Sequence, residues 1–216
     1  MARSRRPSRL EQARARMYRD LVFESAEHVF ARKGYAEATM QDVASEAGIS
    51  LRTLYGAFSG KSELYREIQE VRGRAFVQRV AQALAGGSDA LEGLAAGVRA
   101  YVAFLLGHRD FLRIHLRERL AWGLGPRSGM GAERWHEGVE AVAGTIRRGI
   151  AEGSFHDGDP EVMAMMAIAI MQVQLARWAQ REDPEQQADA LAEEVVLQLR
   201  RLLCRPEAPA RRRRVA

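Results

Sequence analysis

The sequence predicts an all-α protein: a three-helix, helix-turn-helix unit near the N-terminus and a longer helical body behind it. Three observations carry this. Apolar residues recur at three- and four-residue spacing along most of the chain. No stretch sustains the period-two alternation of a half-buried strand. Residues 39–61, TMQDVASEAGISLRTLYGAFSGK, read as two short helices joined by a tight turn at Gly48.

The first helix is expected over about 16–33, with Leu21, Val22, Ser25, Val29 and Phe30 as its inner stripe and Gly34 as its stop. The two short helices follow near 40–47 and 51–57. Thr39 and Ser50 precede them as N-caps, because a hydroxyl oxygen accepts an orphan backbone N–H of the first turn. Gly48 supplies the positive φ that ends one helix and lets the next begin. Val43, Ala44, Ala47, Ile49, Leu54 and Ala57 should face inward, Ala44 being small where the second helix crosses it. Leu51, Arg52, Thr53, Tyr55 and Gly56 are left on the outer face of the second helix. A fourth helix starts at Ser62 and Glu63 and reaches about Leu84, where Gly86-Gly87 breaks it. Ser88 caps a fifth, to about Leu106, with Leu91, Leu94, Val98, Val102 and Leu105 on one face. A sixth spans about 109–122, followed by a breaker-rich loop at 123–129 and helices near 131–151 and 160–182. Asp183-Pro184 separates these from a last helix to about Leu203. The last two helices carry apolar stripes: Val162, Met163, Met166, Ile170, Val173 and Arg177 on one, Leu191, Val195, Leu199 and Leu202 on the other. Such faces can be buried within one chain or shared with a second copy as a four-helix bundle.

Composition narrows the class. The 216 residues are 47% hydrophobic, ample for a core. One cysteine, Cys204, excludes an internal disulfide and suits a reducing compartment. The most apolar run, 162–173, is too short to span a bilayer, and the basic N-terminus has no apolar segment of a signal peptide. A cytoplasmic protein without a membrane partner is expected. The net charge of +5 is unevenly spread. Residues 1–19 hold seven arginines against one glutamate, and 205–216 hold five against one, so the body between is acidic. Arg3, Arg5, Arg6 and Arg9 form a basic arm ahead of the helix-turn-helix segment. Such an arm suits the minor groove or phosphates of DNA, and equally a solubilising leader. The run 211–214 reads as a solvated tail.

No catalytic motif is visible, so the chain is not expected to be an enzyme. His28, His108, His115, His136 and His156 lack paired metal-ligand spacing, and there is no phosphate-binding glycine loop, so no metal and no cofactor is expected. The middle of the chain is rich in large adaptable side chains: Phe104, Phe111, His115, Trp122, Trp135, Met163 and Met166, with Met171 and Trp178. They suit the lining of a cavity for an apolar small molecule, and equally plain core. The outer face of the second short helix suits DNA. An arginine pairs bidentately with guanine, a threonine touches a thymine methyl or a phosphate, and a tyrosine donates to a phosphate. Spacing alone also fits an ordinary helical hairpin.

Residues 38–64, ATMQDVASEAGISLRTLYGAFSGKSEL, closely resemble the N-terminal signature of TetR-family transcriptional regulators. The family pattern Thr-x-x-x-Ile/Val-Ala-x-x-Ala-Gly-Val/Ile-Ser-x-x-Thr-Leu-Tyr-x-x-Phe-x-x-Lys is met by Thr39, Val43, Ala44, Ala47, Gly48, Ile49, Ser50, Thr53, Leu54, Tyr55, Phe58 and Lys61. The preceding AEHVFARKGYAEAT resembles the family's first helix and its ending. The resemblance covers about the first quarter of the chain. It implies a basic arm at 1–15, a DNA-binding domain at 16–60, an effector-binding and dimerisation domain at 61–204 and a basic tail at 205–216. It further implies a homodimer through the last two helices, a palindromic operator in double-stranded DNA and a small-molecule effector that releases a repressor. Arg52 is the first choice for base readout, with Gln41, Leu51, Thr53 and Gly56 nearby. Thr39, Ser50, Tyr55 and Lys61 would hold phosphates. Gly56 departs from the bulkier residues the family often carries there. Two other readings remain open: a DNA-binding regulator controlled by a protein partner, and a small-molecule-binding protein without a DNA role.

Overall fold

The computed structural model describes residues 8–117, 130–178 and 188–205. Among these residues the chain forms nine α-helices: α1 (Arg9–Lys33), α2 (Met40–Glu46), α3 (Leu51–Ala57), α4 (Lys61–Gly86), α5 (Ala90–Gly107), α6 (Arg109–Arg117), α7 (Met130–Ala151), α8 (Pro160–Trp178) and α9 (Ala188–Leu203). The expected all-α class holds. The loop at 123–129, the basic arm before Ser8 and the tail after Arg205 lie outside the described residues.

The helices sort into two compact units, 1–75 with 105–120, and 76–104 with 121–216. The boundary expected at 60/61 does not coincide with this division. The first half of α4 and all of α6 belong with the helix-turn-helix. The second half of α4 belongs with the body.

In the first unit α1 starts at Arg9, about two turns before the expected Arg16. Residues 9–15, RLEQARA, are good helix formers without glycine or proline, so nothing opposes the extension. The core joins Val22, Phe23, Ala26, Val29 and Phe30 of α1 to Ala38, Met40, Val43 and Ala44, to Leu54 and Phe58, to Leu64 and Ile68 of α4, and to Ile114 of α6. Leu21, expected in the inner stripe, is exposed, and Phe23 is buried instead. Ala57, expected inside, is also exposed, because α3 ends there and Phe58 turns in to close the core.

In the second unit α7 and α8 pack as a hairpin, and α9 lies on α8. The turn between α7 and α8 carries Phe155, fully buried, and it is tied to the end of α9. The His156 N–H donates to the Leu203 carbonyl at 2.9 Å, and Arg205 donates to both carboxylate oxygens of Asp157. Helix α5 is apolar and long enough, by length and composition, to cross a membrane, with a mean hydropathy of 1.4. This corrects the expectation that no segment would be. Its Leu94, Val98, Val102 and Leu105 are buried in the protein itself.

Gly93 sets how closely α5 passes the end of α4. A methyl group there would strike the carbonyl oxygen of Leu84 and come within 2.6 Å of the Arg148 guanidinium. Gly93→Ala is therefore expected to destabilise the protein by about 1–3 kcal/mol through overpacking. A lower urea midpoint at unchanged slope is the check, and an unchanged midpoint would refute the close approach.

Candidate nucleic-acid interface

Each short helix is locked by local chemistry that the sequence announces. Thr39 and Asp42 form a reciprocal cap. The Asp42 N–H donates to Thr39 Oγ1 at 3.1 Å, and the Thr39 N–H donates to Asp42 Oδ2 at 3.0 Å. Lys33 Nζ donates to the other oxygen, Oδ1, at 2.6 Å. The Lys33 hydrogen bond, followed by those from Thr39, lowers the Asp42 pKa to about 2. A depressed carboxylate stabilises the fold fully above its ordinary pKa and loses that contribution as pH falls through about 2, so this cap holds throughout the physiological range.

The end of α2 is a Schellman turn. Gly48 sits at φ +66, its N–H donates to the Ser45 carbonyl at 3.2 Å, and the Ile49 N–H reaches back to the Ala44 carbonyl at 3.0 Å. Ser50 then caps α3 by accepting from the Thr53 N–H at 3.0 Å. The Ser50 and Thr53 hydroxyls also share a hydrogen bond at 2.6 Å. One hydroxyl proton of the two is left to donate outward.

This architecture presents Arg52, Thr53, Tyr55 and Gly56 of α3 to solvent, with Gln41 of α2 and the caps Thr39 and Ser50 also exposed. Tyr55 is half exposed (50%), which is unusual for an aromatic residue beside a core. Among the described residues Arg52 makes no ion pair. Leu51, expected outside, is half-buried and packs against the core, so its side chain is largely committed to the fold.

Lys61 stands at the head of α4, and its ammonium is engaged within the protein. Its ammonium donates to the carbonyl oxygens of Tyr35 at 2.7 Å, Ala38 at 2.8 Å and Ala36 at 3.1 Å, and it stands 4.6 Å from the centre of the Tyr35 ring. All three of its protons are engaged by the loop between α1 and α2. This geometry favours a clamp over a phosphate contact.

The unit also contains ion pairs that no sequence motif signals. Glu27, buried on α1, is bound bidentately by Arg72 of α4, with Nε at 2.7 Å and Nη2 at 3.2 Å. Arg19 pairs with Glu67 and lies over the rings of Phe23 and Phe58. Helix α6 is bonded to α1 near both ends. His28 Nδ1 lies 3.1 Å from Asp110, and Arg117 donates to the Arg32 carbonyl at 2.8 Å.

The described residues expected to line an effector cavity divide between the two units. Phe104 is buried in the second unit, edge-on to Phe76. Phe111 is buried in the first unit. Trp135 is half-buried on α7, and Met163 is buried near the start of α8. Met166 points away from the core and is 47% exposed. Trp122 and the side chain of His115 lie outside the described residues. The second unit does hold a small apolar cavity of about 10 Å³ between α5, α8 and α9, lined by Val98, Tyr101, Val102, Met171, Leu175, Leu191 and Val195. That is room for about one water molecule. Burial raises the pKa of the Tyr101 hydroxyl on its wall.

Lys61→Met should lower the stability of the first unit by about 1–3 kcal/mol, because carbonyls that accepted from an ammonium lose their donor. Well below the melting temperature, the slope of log affinity for DNA against log salt should stay that of the parent. A slope smaller by about one would instead make Lys61 a phosphate contact.

Comparison with known proteins agrees with this geometry. Residues 22–68 match the model described as bacterial regulatory proteins, tetR family, and residues 87–203 match the tetracyclin repressor-like C-terminal domain. The HTH-type transcriptional activator FasR of Mycolicibacterium smegmatis is 37% identical over 81 residues, 38% of this chain. That match spans only 37% of the relative's own length. Among solved structures, the ketosteroid transcriptional regulator KstR2 of Mycobacterium tuberculosis superposes with a TM-score of 0.72 at 22% identity, over 87% of this chain and 95% of that one. FadR of Bacillus subtilis, solved in complex with stearoyl-CoA, gives 0.65 at 18% identity, over 82% and 97%. With both of its parts matched, helix-turn-helix and helical body, the chain belongs to the TetR family of transcriptional regulators.

Proposed function

We propose that the protein is a homodimeric transcriptional repressor of the cytoplasm, not an enzyme, which leaves a palindromic operator when its body takes up a small apolar molecule. The observation that carries the DNA half of this reading is the face of α3. Arg52, Thr53, Tyr55 and Gly56 stand exposed on a helix whose other side is fully engaged in the core. Arg52 reads a base, aided by Gln41 and by the close approach that Gly56 permits. Thr39, Ser50, Thr53 and Tyr55 hold phosphates, and Lys61 fixes the frame that aims them. The arginines at the start of α1 and ahead of it add sequence-independent attraction.

The dimer half is supported by α8. One of its faces is buried, and the opposite face leaves Val162, Met166, Ala169 and Val173 in solvent at helical spacing, with Leu197 of α9 also exposed. A second copy covering these residues builds a four-helix bundle from α8 and α9 of both chains. Two recognition helices then read two half-sites related by the dimer axis.

An acyl chain is one effector class in keeping with the apolar interior of the second unit and with the stearoyl-CoA held by the FadR neighbour. The cavity among α5, α8 and α9 is far smaller than such a ligand, so uptake selects a more open state of the body. Phe104, Trp135 and Met163 are the expected lining residues that lie buried or half-buried in this unit. Activation in place of repression is the second reading, supported by the name of the FasR relative. A reporter driven from the protein's own promoter, with and without the protein, decides the sign.

Two experiments test the proposal. DNA selected by the purified protein from a random pool should be palindromic, and Arg52→Ala should relax preference at one base pair in each half-site by about 1–3 kcal/mol. Unchanged selectivity would move base readout to another residue. Val173→Glu should turn the dimer into monomers in sedimentation, since it places a charge in an apolar contact. A dimer that persists would locate the interface elsewhere.

A further inference from the structure

Helix α9 is capped from a distance. The carbonyls of Leu202 and Leu203 belong to its last turn, where the helix itself supplies no donor. Both are met by one residue of the turn between α7 and α8. The His156 N–H donates to the Leu203 carbonyl at 2.9 Å, and His156 Nε2 lies 2.6 Å from the Leu202 carbonyl oxygen. The other ring nitrogen, Nδ1, lies 3.2 Å from the Asp157 carbonyl oxygen. A carbonyl oxygen only accepts, so both ring contacts are hydrogen bonds only when both nitrogens carry a proton. The neutral ring keeps one bond, made by an uncharged donor, and turns a lone pair toward the second carbonyl.

The surroundings favour the charged ring. The C-terminal end of a helix carries partial negative charge, and α9 is 16 residues long. The Leu202 carbonyl first, and then the Asp157 carbonyl, hold the His156 pKa above its ordinary value. The Asp157 carboxylate adds to this, and Arg205, paired with Asp157 at 3.2 Å, opposes it. Of the other charged groups at this corner, Arg201 shares the last turn of α9, and Arg200 is hydrogen-bonded to Cys204. Asp159 accepts from the Glu161 and Val162 N–H groups, and Glu152 accepts from the Ala90 N–H. The corner is anchored beneath the ring. Phe155 is fully buried, and the Arg205 N–H donates to the Ser154 carbonyl at 3.3 Å.

We propose that His156 is a pH-sensitive cap: its protonated ring fastens the last turn of α9 to the α7–α8 turn, and loss of the proton loosens that last turn. The cap thereby sets how firmly the end of α9 closes on the α7–α8 hairpin. A group whose pKa is raised by folding adds stability below its ordinary value and loses it as pH rises through the folded one. The end of α9 is therefore tightest in mildly acidic solution and loosens toward alkaline pH.

The test uses the full-length protein. Its histidine side chains are titrated by NMR between pH 5.5 and pH 8.5, with His156→Gln identifying the His156 resonance. His156 should titrate above the ordinary histidine value. Amide protection of residues 200–203, corrected for intrinsic exchange, should fall across this range by about twofold to fivefold more in the parent than in His156→Gln. That is the scale of one cation at an exposed helix C-terminus. The glutamine keeps an N–H donor at the site but does not titrate. His136→Gln, an exposed position on α7 about four turns from the corner, should keep the parent profile. A His156 resonance that titrates at or below the ordinary value, or protection that falls equally in parent and His156→Gln, would overturn the proposal.

Discussion

The helix-turn-helix depends on one ammonium group. Lys61 opens α4 immediately after α3, and its three protons reach carbonyls of residues 35, 36 and 38 in the loop that leads into α2. It therefore joins the chain before α2 to the chain after α3, and the two short helices lie between these points. Helices of seven residues do not persist alone in water. The clamp supplies fixed ends, and the aromatic group of Phe30, Tyr35 and Tyr65 beneath it supplies the apolar floor. Gly34 completes the arrangement. Its φ of +83 turns the chain out of α1, and its bare Cα leaves room for the Arg117 guanidinium that caps the last carbonyls of that helix.

What could be read from the sequence divides along physical lines. Thr39, Gly48 and Ser50 were legible because their work is done within a few residues of themselves. The boundaries of α2 to α5 follow from the same kind of signal. One member of the α1 stripe differs, Phe23 in place of Leu21, because three apolar residues in a row, Leu21, Val22 and Phe23, leave the edge of the inward face undefined. The Glu27–Arg72 pair was not legible at all. A glutamate on a basic-rich helix looks solvated until α4, forty-five residues away, brings an arginine over it. The hydrogen bonds of Lys61 to the loop carbonyls were not legible either, since family resemblance marks a residue without saying which of its neighbours it touches.

Helix α8 shows the same limit from the other side. It is apolar nearly all round, so periodicity could not say which stripe the core would take. The fold buries Met163, Ala167, Met171 and Leu175 and leaves Val162, Met166 and Val173 outside. A helix that satisfies its own unit with one face and keeps a second apolar face in water presents the kind of patch that interaction surfaces use. The candidate effector residues are ambiguous in sequence for a related reason. Large apolar side chains are interchangeable between core and cavity, and only their tertiary addresses separate Phe104 from Phe111.

Among 33 basic residues the chain has two lysines, Lys33 and Lys61, and both are built into the helix-turn-helix frame, one on the α2 cap and one on the loop before it. Every other basic side chain is an arginine, the residue on which DNA attraction would depend. Acylation of side-chain amines would thus leave the electrostatic surface nearly intact while unfastening the scaffold beneath it. Loss of charge at the two lysines would act on the frame of the helix-turn-helix, while the arginines hold nearly all of the chain's positive charge.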